Sequence, residues 1–408
     1  MIRDIIINKL RNYSQEHLLR FEESLTEEEK QHLYKQIEGL NFNYLQELTK
    51  VKQAEKSVIT PIKAMTVDEI EARKAEFEQI GLEALAKQEV GLLLLAGGMG
   101  TRLGSDKPKG MFNIGKTRDV YIFQRLIENT ISVVEKCGKP IPFFIMTSEK
   151  NNEDTINFFE EHNYFGYDKN YVRFFIQEMA PCVSLDGKVL LEDKHVVATS
   201  PNGNGGWFNS LLNNAEAKKM LEDLNIKWLN IFAVDNVLQQ IANPEFIGAT
   251  LQGGHEIGAQ VVRKADPYEK VGVMCLKNGK PSIVEYMDVT DEMAHETDEN
   301  GERVYNFGVI LNYLFNVQTL HEIKNKQLPI HIVTKKVEYI DENGTHIKPT
   351  EPNAHKFEML CVDMIELANT CLPFEVIRER SFAPIKNPTG VDSVVSAQAL
   401  LEQNGYKL

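Results

Sequence analysis

Cysteine is scarce in this chain, and what there is lies scattered. Cys137, Cys182, Cys275, Cys361 and Cys371 are odd in number, widely spaced and form no C-x-x-C. That pattern excludes a disulfide framework and a cysteine-built zinc site, and it fits a reducing compartment. Long apolar runs are missing as well. Near the N-terminus the run Ile5 to Ile7 is too short for the core of a signal peptide. No stretch approaches the ~20 apolar residues of a membrane span. An excess of positive charge is also lacking: 45 Lys and Arg face 59 Asp and Glu, a formal net charge of −14. A protein that coats nucleic acid or binds an anionic membrane by charge carries the opposite sign. These absences predict a cytoplasmic protein with neither nucleic acid nor membrane among its partners. There is no internal repeat and no low-complexity linker.

With 42% hydrophobic residues, the chain has ample material for a large core and is not disordered. At ~150 residues per domain, its length predicts two or three domains. Residues 1–88 read as a helical N-terminal lobe without strands. Thr26 with Glu29, and Thr66 with Glu69, make two capping boxes, each followed by apolar residues at helical spacing. From Val90 the texture changes. Short apolar runs at Leu92–Ala96, Ile141–Thr147, Val172–Gln177, Trp228–Val234 and Gly258–Val262 read as buried strands. Helical patterns lie between them at Tyr121–Glu135, Asn152–Glu161 and Trp207–Leu224. This alternation predicts an α/β fold, a Rossmann-like mixed, mostly parallel sheet with helices on both faces. Ligands of such sheets sit beyond the carboxyl ends of the strands. From Ser282 the strands become denser and suggest a second sheet region. Helices are expected over 356–370 and near Ser393–Gln403. The resulting division is 1–88 helical lobe, 89–330 catalytic domain and 331–408 a short C-terminal part.

The sharpest local feature is Gly97-Gly98-Met99-Gly100-Thr101-Arg102-Leu103-Gly104, followed by Pro108-Lys109-Gly110. Glycines directly after a strand let backbone N–H groups approach a phosphate without a Cβ in the way. Between 102 and 118 five basic residues (Arg102, Lys107, Lys109, Lys116, Arg118) face one acid, Asp106, so a −14 chain carries a local net +4. The loop is not a Walker A motif, because Ser105 rather than Lys follows Gly104. It is not a dinucleotide fingerprint either, since Gly104 falls one residue too late. No G-x-S-x-G elbow and no Cys–His pair offers a protein nucleophile. Asp235, at the carboxyl end of the apolar run Ile231–Val234, reads as a ligand for Mg²⁺ where phosphates lie next to it, or else as a structural Asp capping a turn.

The glycine loop and Pro-Lys-Gly-Met resemble the signature of the UDP-sugar pyrophosphorylases, most of all the eukaryotic-type UDP-N-acetylglucosamine enzymes. Further motifs follow in the family's order: Asp186-Gly187-Lys188, Ser200-Pro201-Asn202-Gly203-Asn204-Gly205-Gly206, Val234-Asp235-Asn236, Val284-Glu285-Tyr286, Asn306-Phe307-Gly308 and Ala383-Pro384-Ile385-Lys386-Asn387. The resemblance implies Mg²⁺-assisted transfer of a uridylyl group from UTP to a sugar-1-phosphate. It places Arg102 and Lys109 on the UTP phosphates and Lys386 on the sugar phosphate and the transferring phosphate. Gly97, Gly98, Gln177 and Gly203 would meet the nucleotide, and Asn204, Glu285, Tyr286 and Val309 the sugar. Leu360 and Val362 would line the acetyl pocket. Two departures stand out. Val309 replaces the family's usual sugar-touching Asn, which opens the choice of sugar. Only 22 residues follow Lys386, where longer members carry a β-rich domain, so no oligomer contact built on that domain is implied. UDP-N-acetylglucosamine is the expected product. UDP-glucose, several UDP-sugars, or a silent nucleotide-sugar-binding homologue are the alternatives.

Overall fold

A computed structural model describes residues 2–49, 57–326 and 328–408. They form two compact units that interleave along the chain, one of 1–55, 178–206 and 328–361, the other of 56–177, 207–327 and 362–408.

The larger unit is built on a ten-stranded sheet: β1 (Ile59–Pro61), β2 (Val90–Leu95), β3 (Phe143–Thr147), β4 (Val172–Ile176), β5 (Trp228–Ala233), β6 (Ile257–Arg263), β7 (Val273–Lys277), β8 (Lys280–Val284), β9 (Phe307–Asn316) and β10 (Cys371–Glu375). On one side of it β5, β2, β3 and β4 run parallel in that order, with β4 at the edge. β9 lies antiparallel to β5 and to β6, and β10 joins β6 in parallel. β2 reads Val-Gly-Leu-Leu-Leu-Leu and β3 reads Phe-Phe-Ile-Met-Thr, and every one of these residues is buried. Such unbroken apolar strands belong where both faces of a sheet are covered. The expected mixed Rossmann-like sheet is therefore present, with its parallel strands together on one side.

Three helices illustrate how the sequence packs. α1 (Lys74–Ala86) crosses α3 (Pro244–Gln252), whose first turn is capped by the Asn243 side chain on Phe246 N–H at 2.7 Å. Between them in the chain, α2 (Ile122–Cys137) buries Ile122, Phe123, Leu126, Ile127 and Val133, and it ends at Gly138 in the left-handed region. α1 and α3 meet backbone to backbone. A Cβ on Gly81 would overlap the Pro244 carbonyl, and one on Gly248 would overlap the Phe77 carbonyl. No residue but glycine fits this crossing without moving a helix.

The smaller unit holds the helices Ile2–Asn12 and Glu27–Gly39 and a three-stranded antiparallel sheet of His331–Lys335, Ala354–Glu358 and Val183–Ser184. Its core joins Ile6, Leu10, Leu33 and Ile37 to Val183 and Phe357. Thr26 and Glu29 make the reciprocal cap read from the sequence, as do Thr66 and Glu69 in the larger unit.

Four expectations need correction. Residues 1–88 do contain a strand, Ile59–Pro61, held by antiparallel pairing with Val273–Lys277 across more than two hundred residues. The pattern over Trp207–Leu224 is two helices, Trp207–Asn213 and Ala215–Asp223. Asn214 leaves the helix to cap the second one through Ala217 N–H. Residues 356–370 are not one helix. Ala354–Glu358 is a strand, and Cys361–Leu367 forms 3₁₀ turns. Buried Cys361, Met364, Ile365 and Ala368 follow helical spacing, and pairing on both sides of Ala354–Glu358 overrides it upstream. The strands after Ser282 do not all make a second sheet, because β9 and β10 complete the central one. The two units divide the chain in their own way: the span 56–177 of the larger one runs through residue 88, and the span 328–361 of the smaller one runs through residue 330.

Gly248→Ala is expected to cost about 1–3 kcal/mol through overpacking, read as a lower thermal midpoint by circular dichroism. Gly39, where a Cβ meets nothing within 4 Å, serves as the control. Its alanine variant gains up to about 1 kcal/mol of helix propensity. Equal midpoints for Gly248→Ala and wild type would refute the tight crossing.

Candidate active site

The carboxyl ends of the four parallel strands lie along one edge of the sheet in the larger unit. β2 runs out into Ala96, Gly97 and Gly98, β4 into Gln177, and β5 into Val234 and Asp235. Gln177 is buried, and its amide packs on Gly97 so closely that a Cβ there would overlap it. Nothing lies within 4 Å of a Cβ placed on Gly98, so the backbone on that side is open. One face of the glycine turn thus receives the Gln177 amide and the other is free for a ligand.

The rest of the loop is folded by its own backbone. Gly100 N–H donates to Lys107 O at 2.8 Å, and Lys109 N–H donates to Gly98 O at 3.1 Å. Asn151, fully buried, ties it down. Its amide nitrogen donates to Ala96 O at 2.9 Å and Gly98 O at 3.3 Å, and its oxygen accepts from Ser148 N–H at 2.7 Å. Sequence reading passed over Asn151. The Ser-x-x-Asn turn just after β3 was the available signal.

Lys109, half-buried, reaches Asp235 at 3.8 Å. Burial pushes its ammonium below the usual lysine range. Asp235 opposes that shift, while the positive charges of Lys386 and Arg102 add to it. Arg102 itself is exposed. Lys386 pairs with Asp392 at 2.9 Å. The Lys386 segment is fastened to the Asp235 turn: Ile385 N–H donates to Asp235 O at 2.9 Å, and Val237 N–H to Ala383 O at 3.3 Å. Buried Asn236 completes the joint. Its oxygen accepts from Ala383 N–H at 2.8 Å, and its nitrogen donates to Ser381 O at 2.8 Å and Gln239 Oε1 at 2.6 Å. Asn236 stands in a motif quoted above, yet nothing in its identity announces this role.

The basic stretch is less uniform than its charge count. Lys107 pairs with Asp154 at 3.3 Å, Lys116 pairs with Glu402 at 2.8 Å, and Arg118 donates to Lys407 O at 2.9 Å. Of the five basic residues, Arg102 and Lys109 are the two brought together with Asp235 and Lys386.

On β9, beside β5, and just after β8, Val309 and Glu285 flank one glycine. A Cβ on Gly272 would stand 3.4 Å from Val309 Cγ2 and 3.7 Å from Glu285 Oε1. Tyr286 is 41% exposed and Met287 74%. Gly203 and Asn204 belong to the smaller unit. Gly203 has φ +82° and bridges to Met359. The Asn204 amide oxygen accepts from Cys361 N–H at 2.9 Å, which leaves its nitrogen as the donor. Nearby, buried Asn202 donates to Glu178 Oε2 and to Tyr44 Oη, both at 3.3 Å. Among the described residues, no three His, Cys, Asp or Glu side chains cluster as a metal cage.

Glycine backbone, a buried amide, clustered cations and one carboxylate form a site that suits a polyphosphate and its base. Comparison with known proteins agrees. Residues 35–406 match the family model described as UTP–glucose-1-phosphate uridylyltransferase. The chain belongs to this family. It is 38% identical over 346 residues to human UDP-N-acetylhexosamine pyrophosphorylase-like protein 1, covering 81% of this chain and 68% of that one. It is 38% identical over 331 residues to the UDP-N-acetylglucosamine pyrophosphorylase of Saccharomyces cerevisiae, covering 78% and 69%. The uridine diphosphate N-acetylglucosamine pyrophosphorylase of Trypanosoma brucei, solved with an inhibitor, superposes with a TM-score of 0.84 at 26% identity, covering 98% of this chain and 84% of that one. No described helix is long and apolar enough to cross a membrane.

Asn151→Ala is expected to leave the buried Ala96 carbonyl and Ser148 N–H unpaired, at about 1–3 kcal/mol. Amide exchange measured by mass spectrometry should then quicken at least about tenfold over 97–110, with β2 and β3 unaffected. Unchanged exchange in the loop would remove Asn151 from its support.

Proposed function

We propose that this chain is a uridylyltransferase that forms UDP-N-acetylglucosamine and pyrophosphate from UTP and N-acetylglucosamine-1-phosphate. The observation that carries the reading is the convergence of Asp235, Arg102 and Lys386 on Lys109, whose own N–H is bonded to the glycine loop at Gly98, in a chain of this family. An oxygen of the sugar phosphate attacks the α-phosphorus of UTP. The new P–O bond forms as the bond to the β-phosphate oxygen breaks, and pyrophosphate leaves. Two anions must meet in line, so alignment and charge neutralisation supply the catalysis and no protein nucleophile is needed.

In this reading Arg102 and Lys109 hold the UTP phosphates, and Lys386 meets the sugar phosphate and the transferring phosphate. Gly97 and Gly98 present backbone to the nucleotide. The Gln177 amide, donor and acceptor together, matches the imide edge of uracil. Gly203 meets the nucleotide through its backbone, and the Asn204 amide nitrogen donates to a sugar hydroxyl. Glu285, Tyr286 and Val309 contact the sugar. Asp235 would hold Mg²⁺. A single carboxylate suits an ion that is ordinarily bound by one or two carboxylates with phosphate oxygens and water, and bound there it would neutralise phosphate charge. Retention of the full cation set argues against a silent homologue, because binding alone does not require it.

Val309 offers a methyl-lined wall in place of a hydrogen-bonding amide. It can pack against an acetamido methyl for about 1 kcal/mol, while the missing hydrogen bond relaxes discrimination between sugars.

Pyrophosphate release from UTP over a panel of sugar-1-phosphates tests the reading. N-acetylglucosamine-1-phosphate should give the highest kcat/KM, with N-acetylgalactosamine-1-phosphate and glucose-1-phosphate slower but measurable. A clear preference for glucose-1-phosphate would overturn the choice of sugar, and no release with any sugar would overturn the chemistry. Lys109→Ala should lower turnover at least ~10²-fold, the scale of one preorganised charge contact. Asp235→Asn should fold normally and lose activity together with its Mg²⁺ response. An Asp235→Asn enzyme with wild-type rate and Mg²⁺ titration would make Asp235 structural.

A further inference from the structure

The loop after Lys386 is closed by an unusual residue. Asp392 has φ +53°, in the left-handed region, two residues after Gly390 at φ +86°. Its backbone carbonyl accepts from Lys386 N–H at 2.6 Å and from Asn387 N–H at 3.0 Å. Asn387 then bonds Val391 O through its amide nitrogen at 3.1 Å and accepts Val394 N–H at 3.0 Å. Ser393 caps the closing helix, Val394–Gln403. The loop is therefore shut by backbone groups and by Asn387 and Ser393. The Asp392 carboxylate takes no part in that closure. It reaches back instead to the Lys386 ammonium at 2.9 Å, with both side chains half-buried.

We propose that Asp392 is a positioning residue for Lys386: its carboxylate holds the ammonium at the edge of the site until the transferring phosphate takes it over. This rests on the reading of Lys386 as the cation of that phosphate. The arrangement mirrors Lys109, which rests on Asp235. The cations act on one another, and each of these two lysines has a carboxylate to set its direction. Lysine has a long flexible stem, so an unguided ammonium samples many rotamers and meets the phosphate less often in line. A lost guide therefore lowers turnover more than substrate affinity.

The test is a double-mutant cycle on the full chain, with kcat and KM measured for UTP and for the sugar phosphate. Asp392→Asn is chosen because asparagine tolerates the left-handed backbone and keeps the carbonyl that closes the loop. Thermal melts confirm that the variants fold. Asp392→Asn is expected to lower kcat about tenfold, the scale of a charge-assisted hydrogen bond, with both KM values changing less than about threefold. In the Lys386→Ala background the same substitution should change kcat less than about twofold, since a guide with nothing to guide has no effect. An equal loss in both backgrounds overturns the proposal, because Asp392 then acts on its own. A wild-type kcat for Asp392→Asn overturns it as well. A neutral Lys386→Ala instead overturns the role of Lys386, and the proposal with it.

Discussion

Parallel pairing of four neighbouring strands in the larger unit is the constraint on which the site depends. β5, β2, β3 and β4 run the same way, so the segments that follow β2, β4 and β5 leave the sheet at one edge. Gly97, Gly98, Gln177 and Asp235 all lie within three residues of those ends. None of them needs a long excursion to reach the others. Every residue of β2 and β3 is buried, so the polar groups beyond their ends are positioned from the core of the unit. Antiparallel β9 covers the outer side of β5 without disturbing that edge.

Cations gathered at such an edge repel one another, and half-burial makes each charge harder to keep. Lys109 shows both effects: burial lowers its pKa, and Lys386 and Arg102 push the same way. The structure answers with carboxylates placed singly, Asp235 against Lys109 and Asp392 against Lys386. Arg102 is exposed and has water to solvate it. A phosphate chain entering this edge meets positive groups that are already gathered, and gathering them is the part of the cost that folding has met in advance.

Two buried amides do the mechanical work behind the charges. Asn151 fixes the glycine loop to the end of β3, and Asn236 fixes the Lys386 segment to the end of β5. Both bond buried backbone groups, Ala96 O and Ser148 N–H for Asn151, and Ser381 O and Ala383 N–H for Asn236. Both residue types have a donor and an acceptor on a short side chain, which lets one residue satisfy two strangers at once.

The sequence by itself determined the elements that depend on local chemistry. The capping boxes at Thr26 and Thr66, the buried strands from Val90 to Arg263, and the glycine turn after β2 are written in residues close together in the chain. Their period, caps and φ requirements are local. The order of motifs along the chain likewise points to the family. Tertiary structure decided whatever depends on a distant partner. Ile59–Pro61 is a strand because Val273–Lys277 stands beside it, and Ala354–Glu358 is one because two other strands bracket it. Lys107, Lys116 and Arg118 are drawn away from the loop by Asp154, Glu402 and the Lys407 carbonyl, none of them predictable from a count of charges. Asn151, Asn236 and Asp392 take their roles from what they touch. A polar side chain in a turn has no period and no cap of its own, so only the fold can say which backbone groups it will find.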